Sequence, residues 1–267
     1  TPATMNSRTD RRAAGKSQGK AKGRPTTVAD LRARLDRARA AGAGKDAEAR
    51  ARRMLAAYLD TAVAHGLSLQ QAAGELARGQ AAVRLGDVSR DALMQNPPRA
   101  VTEAACAEGC AFCCILQGGD GGTITEAEAI RLHYALSPLA GQPDGRGWHP
   151  AACPALDPDI RACRAYDARP TICRSFLSTD AEACRVNAEG GAETGAGLLG
   201  SHLDYLAVHA LSRDLLKGLA RVPTYAMARI AQGAIDGEDR ATTLDAARHK
   251  PRALEDACRD AAKAGGR

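Results

Sequence analysis

The sequence predicts a mostly α-helical protein, with helical, bundle-like flanks around an irregular cysteine-rich, metal-binding region. Three observations carry this expectation. Of 267 residues 45% are hydrophobic, but 58 are Ala, so only about half of that fraction is larger apolar side chains. Aromatic residues make up 3% and β-branched runs are scarce, whereas Ala is the strongest helix former, which argues against a sandwich or barrel. Eight of the nine cysteines fall between positions 106 and 184, where Gly and Pro interrupt the helical pattern.

Four regions follow in order. Residues 1–26 are rich in Gly, Lys, Arg, Ser and Thr and hold too little apolar surface to offset ordering entropy, so the sequence predicts a disordered basic tail. Residues 27–96 form a helical region. Thr27 and Asp30 make a capping box ahead of Val28, Leu31 and Leu35, and Gly42 and Gly44 break that helix. A second helix runs from about Asp46 to His65, with Met54, Leu55, Tyr58, Leu59, Ala62 and Val63 on one face. Ser68 and Gln71 cap a short third helix that Gly79 ends. Asn96-Pro97-Pro98 marks a boundary.

Residues 97–190 are the cysteine-rich region. Within it Thr125 and Glu128 cap a helix to Leu136, where Ser137-Pro138 stops it, and Gly141 to Pro158 reads as loop. Residues 191–267 return to helix. Leu198, Leu199, Leu203, Leu206, Leu211, Leu215 and Leu216 form an apolar stripe, Pro223 opens a helix through Ile235, and a last helix spans about Thr243 to Ala264.

The formal net charge is +6, and it is placed unevenly. Residues 1–25 hold seven basic groups against Asp10, and the rest of the chain is formally neutral. With no interleaved aromatics and a neutral body behind it, the tail reads as a solvated segment rather than a nucleic-acid-binding arm. No stretch approaches the roughly 18 consecutive apolar residues of a membrane span, and no apolar segment follows the basic N-terminus as in a secretory signal. An odd number of cysteines without an export signal points to metal binding or catalysis in a reducing cytoplasm rather than a disulfide framework.

The candidate ligands are Cys106, Cys110, Cys113 and Cys114, four within nine residues, and the dispersed Cys153, Cys163, Cys173 and Cys184. Cysteines two or three residues apart can turn their sulfurs to a common centre, with intervening amides donating to the thiolates and Gly109 permitting the tight turn. Eight thiols exceed the four that one tetrahedral zinc or one cubane cluster takes, so either two centres exist or some thiols are structural. Cys113 and Cys114, being adjacent, favour different directions. Spacing alone leaves Zn2+ and an iron–sulfur cluster, a [4Fe-4S] cluster foremost, both open. No second Cys-x2-Cys pair of the zinc-ribbon kind is present. The Cys-x3-Cys-x2-Cys run matches radical-SAM spacing, yet the series of βα units behind that motif is missing.

Arg169 and Arg174 flank Cys173 and are candidates to compensate thiolate charge or bind a cofactor or substrate carboxylate, or else are plain surface arginines. Phe112, Trp148, Tyr166 and Phe176 read as both domain core and shield of the centre. His133 and His149 are lesser ligand candidates while thiols are in surplus, His202 and His209 read as packing or surface residues, and Cys258 as a structural thiol.

Cys106-x3-Cys110-x2-Cys113-Cys114, the Thr125-x-x-Glu128 helix, Cys153-Pro154 and Cys163-x2-Tyr166-x2-Arg169-Pro170-x2-Cys173-Arg174 together resemble the YkgJ-type (CxxCxxCC) cysteine-cluster proteins. The resemblance covers about residues 105–185, and the first gap is three residues where the family name gives two. It implies a zinc- or iron-chelating domain with no assigned biological role. Flagellin lysine N-methylase carries a similar cluster, read as iron–sulfur, which implies as an alternative a methyl-transfer enzyme with a protein substrate or partner. A third alternative is a structural or interaction module that zinc staples. The sequence holds no nucleophile–base pair, phosphate-cradling Gly loop or paired-carboxylate motif that would decide between enzyme and binding protein.

Overall fold

The structure is a computed structural model, and it describes residues 24–117 and 119–264. Nearly all of the predicted basic tail lies outside the described residues; of its last three, Pro25 is buried and Thr26 donates to the Asp30 carboxylate at 3.0 Å.

The fold is mostly α. Four helices lead: α1 (Val28–Leu35), α2 (Lys45–Ala64), α3 (Leu69–Ala77) and α4 (Gln80–Gln95), with a single turn α5 (Arg99–Thr102) behind them. The cysteine-rich region contains β1 (Thr123–Ile124), α6 (Glu126–Leu136), the five-residue α7 (Thr171–Ser175), β2 (Phe176–Ser178) and α8 (Ala181–Ala188). Then come β3 (Ala196–Leu198), α9 (Gly200–Leu215), β4 (Tyr225–Ala226), α10 (Met227–Ile235), α11 (Arg240–Ala247) and α12 (Ala253–Ala264). Among the described residues the strands form two antiparallel pairs: β1 with β4, aligning Ile124 with Tyr225, and β2 with β3, aligning Leu177 with Gly197.

All three predicted capping boxes form, at Thr27/Asp30, Ser68/Gln71 and Thr125/Glu128, each side chain closing on the other residue's backbone N–H. Four readings need correction. Gly79, at φ +77°, not only ends α3 but opens α4, whose buried residues Ala81, Ala82 and Gly86 are too small to print an apolar stripe. The predicted last helix is two, α11 and α12, because Pro251 offers no backbone N–H. The helix expected from Pro223 starts at Met227, since Tyr225 and Ala226 pair with β1. Val63 is exposed rather than facing the core, which α2 meets through Ala51, Leu55, Leu59 and Ala62.

Two main cores result. The first joins α1–α4 to α9 and α12, with Leu31, Leu35, Leu55, Leu59, Leu76 and Leu211 fully buried, each contributing on the order of 1.5–3 kcal/mol. The second joins α6, α10 and α11, and the thiol-bearing loops pack into it through Cys153 and its neighbours. Helix α9 lines the first core and sends Tyr205 to α6 beside the second.

Candidate metal centre

The first cluster is shaped by hydrogen bonds to β2. The Ala105 N–H donates to the Ser178 carbonyl at 2.8 Å, and the Ser178 N–H donates to Cys106 Sγ at 3.4 Å. Gly109 adopts φ +77°, the turn the sequence predicts, and the chain reverses so that the Cys110 N–H reaches the Ala107 carbonyl at 3.0 Å. Phe112–Cys114 then makes one 3-10 turn, which gives the adjacent thiols different surroundings: Cys113 is exposed and Cys114 half-buried. Ile115 bridges Ala152 in antiparallel fashion, and the Cys153 N–H donates to the Cys114 carbonyl at 2.8 Å. Leu156 bridges Cys163, and α7 supplies Cys173. Cys114, Cys153, Cys163 and Cys173 thereby meet the same apolar core, with Cys153 buried inside it.

Burial sets the electrostatics of this inner set. It pushes the Cys153 thiol up to about 12 and raises Cys163 and Cys173, with neighbouring cysteines adding to each shift. Cys114 is raised by its hydrogen bond to Cys113 and by burial, and the same hydrogen bond is the main reason Cys113 is lowered to about 7. Cys184, on α8, is raised by burial and feels the charges of Cys110, Cys113 and Cys106. Cys113 and Cys184 line one open pocket of about 460 Å³, walled by Phe112, Ile115 and Phe176.

The two flanking arginines part ways. The Arg169 guanidinium lies 3.6 Å from the Tyr166 ring centroid, and its charge reaches Cys113, Cys163 and Cys173. Arg174 instead pairs with Asp87 of α4 at 2.7 Å. The aromatic side chains also divide. Phe112 and Trp148 pack at 6.4 Å, whereas Tyr166 is 62% exposed and serves as the platform for Arg169 rather than as core. His133 bonds to the Glu238 carbonyl at 3.0 Å, and His149 accepts from the Ala151 N–H at 3.1 Å. His202 and His209 are buried in α9, and burial lowers both to about 4. Cys258 is a buried thiol of the first core.

Three features here escape sequence reading. Glu128 is far more than a cap. It is 1% exposed, and one oxygen accepts from the Thr171 N–H and hydroxyl, both at 2.7 Å. The other accepts from the Thr125 N–H and hydroxyl, both at 3.0 Å, and from the Tyr205 hydroxyl at 2.5 Å. Burial works to raise its pKa, but these donors prevail and hold the carboxyl below its ordinary range. Ser178 donates its N–H to Cys106 Sγ, a role no spacing signals, while its hydroxyl donates to the Asp180 carbonyl. Gln117 and Arg161, the non-glycine residues with positive φ among the described residues, both lie beside the cysteine loops. Left-handed backbone costs such residues about 1–2 kcal/mol, and it is sustained here by Arg161 stacked over Trp148 and by the Gln117 amide bonded to the Ala188 carbonyl.

Among the described residues, no three His, Cys, Asp or Glu side chains stand close enough, as placed, to enclose a metal ion. The chemistry of the donors nonetheless fits a thiophilic metal. The donors are sulfur throughout, a backbone N–H already donates to Cys106 Sγ, and Arg169 supplies positive charge beside the inner set.

Fold and site together define a mostly helical protein carrying a cysteine-rich region. Residues 105–190 match the family model CxxCxxCC, described as "Putative zinc- or iron-chelating domain". No curated protein and no solved structure matches the chain. No described helix is long and apolar enough to cross a membrane.

Proposed function

We propose that the protein binds zinc or iron through the cysteines of residues 105–190, iron being held as an iron–sulfur cluster. The observation that carries this reading is the packing of Cys114, Cys153, Cys163 and Cys173, drawn from four separate stretches of chain, against one apolar core. Apolar surroundings hold these thiols protonated, and a cation is what makes four thiolates tolerable there. An iron–sulfur cluster in that place supplies one-electron redox chemistry; zinc supplies cross-linking. Arg169 offsets the thiolate charge from its perch on Tyr166.

The zinc-stapled structural module is the second reading, favoured by burial: Cys153 is enclosed by core side chains, as in a closed structural site. Anaerobic purification followed by iron, zinc and acid-labile sulfide analysis tests both. Iron with matching sulfide supports the cluster and zinc without sulfide supports the staple, while protein holding neither metal overturns the proposal. Arg169→Ala is expected to lower metal affinity by about tenfold, the size typical of outer partners of metal ligands.

A further inference from the structure

Buried polar groups without partners gather at one junction of the helical body. Of the ten buried side-chain nitrogen and oxygen atoms that lack a hydrogen-bond partner among the described residues, five come from three adjoining segments. They are Arg90 Nε of α4, Arg174 Nε and Ser175 Oγ of α7, and Ser201 Oγ and His202 Nδ1 of α9. The Leu199 N–H donates to the Ser175 carbonyl at 2.8 Å, which sets the end of α7 against the start of α9. Arg174 pairs with Asp87 at 2.7 Å, which sets α7 against α4. Along α4, a Cβ on Gly79 would stand 3.1 Å from His209, one on Gly86 would stand 3.0 Å from Tyr205, and Ser89 donates to Asp204 at 2.7 Å. Helix α4 therefore runs antiparallel to α9, and Arg90, one turn past Asp87, stands on the face turned to α7 and the first turns of α9.

The start of α9 is electrically open. This 16-residue helix begins at Leu199 without a side-chain cap, so the Gly200 and Ser201 N–H groups and the positive end of the dipole are left unanswered. Helical side chains lean toward the N-terminus, which turns Ser201 and His202 to that end. Ser175, Ser201 and His202 are 0%, 1% and 2% exposed, so bulk water does not satisfy them. The nearby carboxylates are committed: Asp87 to Arg174, and Asp204 to Arg50 and Ser89. Arg90 keeps its charge without an ion partner among the described residues, and Asp91 beside it is exposed.

We propose that this junction binds a phosphate-sized oxyanion, held by Arg90, the Arg174 Nε, the Ser175 and Ser201 hydroxyls and the N–H end of α9. The groups that converge are donors, and a ligand whose oxygens only accept answers all of them. A water molecule brings two donors of its own to the same place and leaves the charge of Arg90 uncompensated. Exposed Gly200 gives the site its opening to solvent. No thiol takes part, so the site is independent of the proposed metal binding.

Isothermal titration calorimetry of the full chain, dialysed free of phosphate at low salt, tests this with inorganic phosphate and with methyl phosphate. Wild type is expected to bind phosphate at one site per chain. Arg90→Gln and Ser201→Ala are each expected to weaken it at least about tenfold, the effect of losing one charge-assisted hydrogen bond. Arg37→Gln, at an exposed arginine elsewhere, should leave it unchanged. Saturating phosphate should raise the Tm of wild type but not of Arg90→Gln, whose far-UV circular dichroism is expected to match wild type. Phosphate alone binding marks a site for the free anion, and methyl phosphate binding as well marks one for a phosphate monoester; both support the site. Wild type that binds neither, or phosphate that either variant binds at full strength, overturns the proposal. Iron and zinc analysis of the same sample reads metal content separately.

Discussion

Replacing Glu128 tests the physical logic of the fold most directly. Its carboxylate accepts five hydrogen bonds in a site it leaves only 1% exposed, and the donors come from α6, α7 and α9. Glu128→Ala leaves the Thr171 N–H and the Tyr205 hydroxyl buried without an acceptor, each costing about 1–3 kcal/mol. Allowing for relaxation, the expected loss is about 3–5 kcal/mol, the range for stranding one side of a buried charged contact. Glu128→Gln keeps the shape but turns an NH2 toward donors on one side, and is expected to cost about 2–4 kcal/mol by the same reckoning. At roughly 2–4 °C per kcal/mol for a chain of this size, Glu128→Ala lowers Tm by about 6–20 °C. Differential scanning calorimetry at pH 7 reads this. The acid limb has a defined sign: the folded pKa lies below the ordinary 4.5, so the stabilisation is present above pH 4.5 and is lost as pH falls through the folded value. A Glu128→Gln protein melting within 2 °C of wild type would refute the claim that this carboxylate organises three helices.

Gly79→Ala is expected to cost about 2–4 kcal/mol, because the position needs φ +77° and a Cβ would fall 2.3 Å from Thr125 Cγ2; Gly66→Ala, at φ +67° with open space, should cost about 1–2 kcal/mol. Equal denaturant midpoints for the two variants would contradict this. His202 and His209, lowered from 6.5 to about 4 by burial, bind protons more readily unfolded, so stability is complete above pH 6.5 and falls between pH 6.5 and 4, by up to about 3 kcal/mol each. A urea midpoint that stays constant from pH 7 to pH 4.5 would sink that account, and His202→Phe should flatten the slope. The Arg174–Asp87 pair, at 2.7 Å but partly exposed, is expected to show no more than about 1 kcal/mol of coupling in a double-mutant cycle. Trp148 fluorescence, reporting the thiol region, and circular dichroism at 222 nm, reporting the helices, are expected to give coincident unfolding curves; separated transitions would mean that the two cores come apart independently.

What could be read from the residues depended on how local the physics is. Caps are local: Thr27, Ser68 and Thr125 each bond three residues onward, and all three announced their helices. The thiols were legible by type and spacing, since four cysteines in nine residues is a strong pattern at any fold. Helix α4 was invisible because its buried face is built from Ala81, Ala82 and Gly86, and the apolar stripe that periodicity detects needs large side chains. The other oxygen of Glu128 was invisible for another reason: its donors lie at Thr171, 43 residues along the chain. Arg169 and Arg174 looked alike in sequence, both beside Cys173, and only tertiary neighbours distinguish the one stacked on Tyr166 from the one paired with Asp87.

The placement of α7 joins these threads. Five residues cannot sustain a helix in water, since nucleation costs more than one turn returns. Its shape is imposed from three sides: Thr171 is fastened to Glu128, Arg174 to Asp87, and the Ser175 carbonyl accepts from the Leu199 N–H at 2.8 Å. Cys173 sits between those anchors, so its position is decided by α4, α6 and the start of α9 rather than by the loops that carry the other thiols. Cys153 and Cys163, by contrast, are positioned by short antiparallel bridges within the cysteine region itself. A metal bound as proposed would tie these locally held loops to the helical body, and Glu128, bonded to Thr171, is a fixed point from which that body sets where Cys173 can stand. A carboxylate thus holds the thiol-bearing turn of α7 against the helical body, where the helices on both sides of the cysteine region share a core.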